Sequence, residues 1–554
     1  MIAGAGASPG IAIGPIYVID ESEVTIPAYE NPSQAFSEAA ATVANDLRTA
    51  SKKAVEAGRT EAAEILNAQA MMAEDTMLAS SVEENLQAGE AFGDAVTKAA
   101  EGVANLLATL DDPYLAARAA DVGEIADRIR RQLAGVSQVR IANTEPSVIV
   151  AGMLTAADTA VMDPASILGL ITETGGPTGH VAVIARSLAI PAVVGVAGIA
   201  SEAAGVATVA LDGTTGEISL DPDPDELTDF QARAAAHRDM MEAAAAYRGV
   251  HVEVAGRPIR VAANVGTPED LDAAIAAEAD GIGLFRTEFL FLGRSSPPTQ
   301  DEQFALYRKA AAAFQDPVVI RSFDIGGDKP AGYIGVPDEE NPFLGVRGVR
   351  LYEQEKEIFK DQVKAIARAS TAGDVWLMIP MIATVADFLT TRSLVDEATA
   401  ELDDAQVAWA AFKVGVMIEV PSAALIASRL AEHVDFFSIG TNDLTQYTMA
   451  ADRTSGSLAG YADPLHPAVM QLCNLTARAA LDAEISVAVC GEAGSDLAAA
   501  TLFMDMGIDK LSVSSPRVDV VKAHIDAIMP RQDRLGDALA AGSAAEAREI
   551  AGRR

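Results

Sequence analysis

The chain has 554 residues, of which 41 are Lys or Arg and 79 are Asp or Glu, so its net charge is −38 at pH 7. A single hydrophobic core does not grow to this length, so we expect three or four domains. The acidic balance disfavours nucleic acid and anionic lipid as partners, and no apolar run approaches the roughly 18 residues that a membrane span needs. Two cysteines, Cys473 and Cys490, and no signal-peptide pattern predict a cytoplasmic protein without disulfides.

The first part of the chain has the pattern of an α/β domain that is interrupted by helices. Short β runs occupy residues 1–20 and recur at 139–144, 147–152, 167–173, 192–198, 207–213 and 217–222. Between them, residues 32–134 are rich in alanine, glutamate and leucine at helical spacing, and poor in glycine and proline. We therefore predict an α/β domain at 1–31 and 135–225 with an inserted helical bundle at 32–134.

A glycine-rich turn, TETGGPTGH at 172–180, places His180 at the start of a predicted helix. Free backbone N–H groups and the helix dipole favour a dianionic phosphate at such a position. Thr178 offers a further hydroxyl donor, and Arg186 follows about two turns later. His180 is therefore a candidate phosphate-accepting imidazole, with a helix-capping histidine as the plain alternative. The other five histidines have no comparable setting.

A predicted connector helix at 226–248 leads into a long region, 249–554, in which β runs alternate with amphipathic helices. The runs lie at 259–266, 281–288, 318–325, 375–381, 413–420, 436–443, 486–492 and 510–514. They are dense in apolar residues, as strands buried on both faces are. Eight βα units in about 300 residues predict a (β/α)8 barrel of the TIM type. The fold class is thus α/β multidomain, with an α/β domain, its helical insert and a C-terminal barrel.

Charged and other polar residues gather at the ends of these runs, where a parallel barrel has its active site. The set comprises Arg286, Glu288, Arg321, Asp324, Glu419, Asn442, Asp443, Cys490 and Glu492, with Lys329, Arg347 and Arg453 on the following loops. Glu419 and Asp443 are hard oxygen ligands that favour Mg²⁺, although a pair of salt-bridging carboxylates is the alternative. Several arginines suit a ligand that carries both phosphate and carboxylate.

The two cysteines have different settings. A free cysteine is most often a small buried hydrophobe. Cys473 falls on an apolar helical face and is predicted to be core. Cys490 ends a β run directly before Gly491, so the barrel rule favours a functional role, which would be proton transfer to carbon.

These segments resemble Enzyme I of the bacterial sugar phosphotransferase system, a family of phosphoenolpyruvate–protein phosphotransferases. The segment around His180 resembles the family's phosphohistidine segment, and the opening ASPGIAIGPIYV resembles its N-terminal strand. Six further segments resemble the family's phosphoenolpyruvate-binding barrel: GIGLFRTEFLF, RSFDIGGDKP, ENPFLGVRGVR, GVMIEVPSAAL, FFSIGTNDLTQYTMAADR and VCGEAGSD. The resemblance covers essentially the whole chain.

The resemblance implies that phosphoenolpyruvate phosphorylates His180, which passes the phosphoryl group to the phosphocarrier HPr while pyruvate is released. It further implies four substrate-clamping arginines, a phosphate-contacting lysine, a substrate-contacting asparagine, two Mg²⁺ ligands and a cysteine proton donor: Arg286, Arg321, Arg347, Arg453, Lys329, Asn442, Glu419, Asp443 and Cys490. The insert at 32–134 would dock HPr, and the barrel would form a homodimer.

Two departures and three alternatives accompany this interpretation. Gly179 stands where the family commonly has serine, and Pro177 where it often has a basic residue, so weaker phosphate handling is expected.

A pyruvate phosphate dikinase-like or phosphoenolpyruvate synthase-like enzyme would share the histidine and barrel but needs an ATP-binding domain, and no GxxxxGK[ST] loop is found. The nitrogen-regulatory paralogue of Enzyme I and a non-catalytic signalling scaffold are the other two.

Overall fold

The computed structural model describes residues 2–19, 24–56, 60–108, 119–136, 145–154, 158, 162, 165–176, 180–188, 190–292, 294–327, 331–337, 339–452 and 456–553. Within the chain there are two compact units, Met1–His237 and Arg238–Arg554. The predicted strand at 139–144 lies outside the described residues, as do Pro177, Gly179, Lys329 and Arg453. Among the helices that are described, none is long and apolar enough to cross a bilayer.

The first unit is built on an eight-stranded mixed sheet. Its strands are β1 (Ile2–Ala3), β2 (Ala5–Ser8), β3 (Ile11–Val18), β4 (Ser147–Ala151), β5 (Ile167–Thr172), β6 (Ala192–Val194), β7 (Thr208–Asp212) and β8 (Glu217–Leu220). They lie in the order β1-β8-β7-β3-β4-β5-β6-β2, and β3 to β6 run parallel. Val148 of β4 packs into one hydrophobic core and its neighbour Ile149 into another, so the sheet is buried on both faces.

A helical bundle lies between β3 and β4 in the chain. Its helices are α1 (Pro32–Glu56), α2 (Thr60–Ala73), α3 (Thr76–Gln87), α4 (Phe92–Ala108) and α5 (Ala119–Leu133). Phe36, Val43 and Leu47 of α1 recur on one helical face and enter the bundle core. The helical pattern at 61–78 is broken at Asp75, whose side chain accepts a hydrogen bond from the Met77 N–H and caps α3.

Three further helices complete this part of the chain: α6 (His180–Ser187), α7 (Ile199–Glu202) and the connector α8 (Pro224–Ala244). Arg233 of α8 donates to Asp212 at 2.9 Å and to Glu217 at 2.7 Å, both within the first unit. Just beyond α8, the Tyr247 hydroxyl donates to Asp526 at 2.8 Å within the second unit. Each end of the connector is therefore held by its own unit.

The second unit contains a closed parallel barrel. Its strands are β9 (Val252–Val254), β10 (Arg257–Val265), β11 (Ile282–Phe285), β12 (Val318–Arg321), β13 (Val375–Ile379), β14 (Lys413–Ile418), β15 (Phe436–Ile439), β16 (Ser486–Val489) and β17 (Lys510–Val513). β10 to β17 pair in chain order, and β10 closes the ring by pairing with both β11 and β17. β9 is an antiparallel addition to β10. The predicted eight-stranded barrel is confirmed.

Helices surround this barrel. They are α9 (Pro268–Ala276), α10 (Gln300–Ala313), α11 (Lys356–Ala369), α12 (Val385–Asp404), α13 (Pro421–Leu425), α14 (Ala427–Leu430), α15 (Thr441–Met449), α16 (Pro467–Asp482), α17 (Leu497–Met506), α18 (Val518–Asp526), α19 (Gln532–Ala540) and α20 (Ala544–Ala551). Thr299 and Thr384 begin α10 and α12 with reciprocal capping boxes. Cys473 of α16 is buried in the layer between strands and helices, as predicted.

Lys510 is an unusual component of the barrel interior. It opens β17, is 2% exposed, and its Nζ has no hydrogen-bond partner among the described residues. Its Nζ lies 4.2 Å from the centroid of the Trp376 ring, a cation–π contact that offsets only part of the desolvation cost. Burial lowers the pKa of Lys510 to about 8. The ammonium therefore destabilises the fold near neutral pH.

Replacing Lys510 with methionine should raise the free energy of unfolding at pH 7 by about 1–2 kcal/mol, because it removes a buried charge and keeps the aliphatic volume. With a folded pKa below the unfolded one, the unfolded wild type binds more protons from about pH 8 to the ordinary lysine pKa of 10.5. The wild type thus gains stability as the pH rises through this window, and the difference in unfolding free energy between the variant and the wild type should become smaller. Thermal unfolding at several pH values measures both effects.

Lys413→Met is the matched control, since Lys413 also sits over the Trp376 ring, at 4.4 Å, but is exposed to solvent. Its effect on unfolding should stay within about 0.5 kcal/mol at every pH. Equal effects of the two substitutions would contradict the burial argument.

Candidate active site

Strand register places several charged side chains at one end of the barrel lumen. Val319 and Met417 belong to a buried cluster in the interior that also contains Cys490. Side chains alternate along a strand, so Arg321 and Glu419, two residues further on, face the same side one layer nearer the strand C-termini. A candidate site therefore forms where a parallel barrel carries its functional groups.

Two carboxylates hold the buried arginines in this layer. Arg321 donates from Nη2 to Glu288 Oε1 at 2.9 Å, and the same oxygen accepts from the Asp324 N–H at 2.9 Å. Arg347 is wholly buried and donates two parallel hydrogen bonds to Asp324, Nε to Oδ1 at 3.1 Å and Nη2 to Oδ2 at 2.5 Å. The guanidinium groups are thus fixed in position before any ligand arrives.

Glu419 carries a buried carboxylate that protein groups satisfy only in part. Its Oε1 accepts from the Met381 N–H at 2.7 Å, whereas Oε2 is buried without a hydrogen-bond partner among the described residues. Burial, followed by the negative charges of Asp443 and Asp324, raises the pKa of Glu419 above its usual range. A cation at this point would relieve both the desolvation and the repulsion.

The donor set fits a hard divalent metal ion. Glu419 and Asp443 offer carboxylate oxygens, and Asp443 Oδ1 also lies 3.9 Å from Arg347 Nη1. The described part of the chain holds no cluster of three or more His, Cys, Asp or Glu side chains that would cage an ion. A metal held here by two carboxylates would take its other ligands from water or substrate, which is the habit of Mg²⁺.

The Met381 backbone is strained where it supports Glu419. Met381 is buried and has φ +61°, a left-handed conformation that is costly for a residue with a side chain. Gly348 lies beside it with φ +54°, and a Cβ there would come within 3.0 Å of Asp324 Oδ1 and 3.1 Å of the Met381 side chain. This close packing holds the Met381 N–H on the carboxylate.

Cys490 is enclosed and protonated at neutral pH. Its thiol is directed at the Ile439 carbonyl oxygen, 3.5 Å away, and the residue is 1% exposed. Burial raises the pKa of Cys490 to about 11, and the charge of Glu419 acts in the same direction. A thiol of this kind is a poor nucleophile, but it is able to give a proton to a carbanion next to it.

The ends of β15 and β16 are locked together beside this thiol. Asn442 accepts a hydrogen bond from the Glu492 N–H through Oδ1 at 2.9 Å, which leaves its NH₂ group to donate to a ligand. A Cβ on Gly491 would overlap the Thr441 hydroxyl and come within 3.0 Å of Asn442 Oδ1, so only glycine fits at position 491.

The structure brings most of the predicted site residues to this end of the barrel. Arg286, half-buried, directly follows β11 and is near enough to oppose the rise in the Cys490 pKa. The group comprises Arg286, Arg321, Arg347, Glu419, Asn442, Asp443 and Cys490. His180 belongs to the other unit, where its backbone opens α6 and its side chain is outside what is described. Lys329 and Arg453, outside the described residues, are not placed.

The supporting roles of three residues could not be assigned from sequence. Asp324 and Glu288 stand at strand ends, but nothing in the sequence indicates that they hold Arg347 and Arg321. Met381 follows Pro380 and has no functional side-chain chemistry, although its backbone N–H fixes Glu419. Strand-end position is the one signal in the sequence for all three.

Models of known families match along the chain. "PEP-utilising enzyme, N-terminal" matches residues 3–118, "PEP-utilising enzyme, mobile domain" matches 143–216, and "PEP-utilising enzyme, PEP-binding domain" matches 242–529. The last of these covers the barrel and its charged mouth. Fold and site therefore define a PEP-utilising enzyme, where PEP is phosphoenolpyruvate.

Curated relatives narrow this class. The chain is 35% identical over 530 residues to the phosphoenolpyruvate-protein phosphotransferase of Staphylococcus carnosus, covering 93% of this chain and 92% of that protein. It is 35% identical over 542 residues to the enzyme of that name from Bacillus subtilis, covering 96% and 95%. A multiphosphoryl transfer protein of Rhodobacter capsulatus is 37% identical over 564 residues, covering 99% of this chain and 67% of its own length. The chain belongs to the phosphoenolpyruvate-protein phosphotransferase family.

Proposed function

We propose that this enzyme moves the phosphoryl group of PEP to its own His180 and then to the phosphocarrier HPr, releasing pyruvate, as the first step of a sugar phosphotransferase system. The observation that carries the proposal is the buried arrangement of Arg321, Asp324, Arg347 and Glu419 at the barrel mouth. The family match over 93% to 96% of the chain supports the same activity.

The site residues would share the work of binding a small, highly charged substrate. Arg286 and Arg321, with Lys329 and Arg453 from the neighbouring loops, would neutralise the phosphate, and Asn442 would donate to the substrate from its NH₂ group. Arg347 is committed to Asp324 through two bonds along one edge of its guanidinium, so it fixes the local charge pattern as well as meeting substrate. Members of the family use a divalent metal ion. Glu419 and Asp443 would hold it, and we propose Mg²⁺, which supplies charge neutralisation at the substrate oxygens.

The transfer itself needs little covalent help from the barrel. An imidazole nitrogen of His180 attacks phosphorus in line, the N–P bond forms, and the bond from phosphorus to the enol oxygen breaks. Positioning and preorganised positive charge lower the barrier. His180 and the barrel belong to different compact units, so the relay requires the histidine unit to reach first the barrel and then HPr.

Cys490 would complete the reaction by giving its thiol proton to the methylene carbon of the enolate that remains, which yields pyruvate. The thiolate then regains a proton from water. The pKa of about 11 keeps the donor loaded at neutral pH.

Cys490→Ala should lower the rate of pyruvate formation by about 10²-fold while the dissociation constant for PEP changes by less than about threefold, because the thiol acts after binding. Coupled spectrophotometry of pyruvate and calorimetric titration with PEP measure the two quantities. Cys473→Ala is the control: it removes the same buried thiol from α16, away from the site, and should leave turnover unchanged. Equal turnover in the two variants would remove Cys490 from the mechanism.

Partners follow from the same proposal. The helical insert would dock HPr, and its surface offers exposed Met71 and Met77 beside the acidic Glu74.

The barrel would form a homodimer, for which Leu344 and Leu425 supply exposed apolar surface. A cytoplasmic location accords with a soluble carrier as partner. Light scattering of the purified enzyme, and titration of the enzyme with HPr followed by NMR, test the two contacts.

The decisive test of the function is incubation with ³²P-labelled PEP, Mg²⁺ and purified HPr, followed by mapping of the label. Transient labelling of His180 and accumulation of labelled HPr are expected. A pyruvate phosphate dikinase-like or PEP synthase-like activity would instead consume ATP and pyruvate with HPr absent, and a scaffold would bind HPr without any transfer. Either result would refute the proposal.

A further inference from the structure

Gln362 lies on α11, in the outer helical layer, yet it is fully buried and its side chain makes three hydrogen bonds. Its Oε1 accepts from the Phe323 N–H at 2.9 Å, and its Nε2 donates to the Thr287 hydroxyl at 3.1 Å and to the Tyr307 hydroxyl at 3.1 Å. A glutamine on a helix of a surface layer usually faces solvent. The contacts therefore call for an explanation.

Two of these hydrogen-bond partners, Thr287 and Phe323, lie on the chain segments that follow β11 and β12. Thr287 is buried between Arg286 and Glu288, and its hydroxyl donates onward to the Arg321 carbonyl oxygen at 2.9 Å. Phe323 directly precedes Asp324. One carboxamide thus ties together the two strand ends that carry four of the charged groups at the barrel mouth.

We propose that Gln362 is a positioning residue, which sets the spacing between the β11 and β12 ends and so aligns Arg286 and Arg321 on the substrate phosphate. The inference rests on the proposed function. Gln362 is fully buried, so it acts through the charged groups it aligns, whose bidentate and charge-assisted contacts lose strength over fractions of an ångström. Outer groups that fix such contacts are typically worth about 10- to 100-fold in affinity or activity.

The same network supplies a matched control. Gln303 on α10 is equally buried, accepts from the Tyr307 hydroxyl at 3.2 Å and donates to the Pro298 carbonyl oxygen at 3.2 Å. These bonds reach neither strand end. Gln303→Met and Gln362→Met therefore remove the same chemical group from one buried network, and a purely structural role predicts the same consequence for both.

Gln362→Met in the full-length enzyme should weaken PEP binding about tenfold and lower kcat/KM about 30-fold or more, whereas Gln303→Met should change both by less than about threefold. Both variants should lower the unfolding temperature by a similar few degrees. The fold should survive, because the Tyr352 hydroxyl still donates to the Phe323 carbonyl oxygen at 2.8 Å. Calorimetry with PEP and Mg²⁺, coupled assays and thermal unfolding give the readouts.

Thr287→Val removes the next link of the chain at nearly constant volume. Thr287→Val should reproduce the loss of PEP affinity. The double variant that combines it with Gln362→Met should bind PEP at most about twofold more weakly than the weaker-binding single variant, since the two residues act through one path. Wild-type PEP affinity in Gln362→Met, or equal losses in Gln362→Met and Gln303→Met, would overturn the positioning role while the function stands. A wild type that does not turn over PEP would instead overturn the proposed function.

Discussion

His180→Ala should abolish PEP-dependent phosphorylation of the enzyme and of HPr, a loss of at least about 10⁴-fold in transfer rate. The proposed phosphorylated intermediate is a phosphoramidate, and alanine offers no nitrogen on which to form it. The His180 backbone opens α6, and the N-terminus of a helix favours a dianion. Labelling with ³²P-PEP, with the acid lability of the bound phosphate as the signature, measures the effect.

PEP binding separates loss of the nucleophile from loss of the fold. The barrel is a compact unit of its own, so His180→Ala should bind PEP and Mg²⁺ as the wild type does. His251→Ala is the matched control, because it removes an imidazole from the second unit, whereas His180 belongs to the first. The His251 ring is 77% exposed and lies 3.3 Å from Asp280. Acid-labile label that persists in His180→Ala would show that another residue accepts the phosphoryl group.

Glu419→Gln should lower metal affinity and activity but raise the stability of the fold. The new carboxamide keeps an oxygen for the Met381 N–H but removes the negative charge, so affinity for a divalent ion should fall about 10- to 100-fold and kcat/KM about 10²- to 10³-fold. The free energy of unfolding should meanwhile rise by about 1–2 kcal/mol without metal, since a buried carboxylate repelled by Asp443 and Asp324 has gone. Manganese titration followed by electron paramagnetic resonance, and thermal unfolding with a chelator, measure the two effects.

Glu432→Gln is the control for this experiment, because it makes the same chemical change on an exposed glutamate of the same barrel. It should leave metal affinity and activity unchanged and alter stability by less than about 0.5 kcal/mol. A Glu419→Gln enzyme that unfolds more readily and binds manganese normally would identify Glu419 as half of a structural ion pair. The expected pairing of lost activity with gained stability is characteristic of groups held in place for chemistry.

The barrel was predictable from sequence because strand burial on both faces leaves dense apolar runs, and because charged residues at the ends of those runs stand out against them. Arg321, Glu419 and Cys490 can be located in this way from the order of amino acids alone. The alternation of side chains along a strand is a local property, so it survives the step from sequence to fold.

The supporting contacts were not predictable, because they join residues that no local rule connects. Gln362 and Thr287 are 75 positions apart, and Arg347 and Asp324 are 23 apart on loops without a period. Which carboxylate meets which arginine depends on how the loops pack. The break at Asp75 was unpredicted for a different reason: helical spacing continues across it, and only the side-chain bond to the Met77 N–H shows the cap.

Gly491 has a practical consequence for anyone who wishes to redesign the substrate range of this enzyme. The residue has no room for even a methyl group between the end of β16 and the first turn of α15, and a larger residue would displace the amide that is expected to meet the substrate. Libraries that randomise the segment around Cys490 would spend most of their members on chains with a distorted pocket. Diversity belongs on the uncharged positions of the longer loops after β11 and β12, with Arg286, Asp324, Arg347 and position 491 held constant.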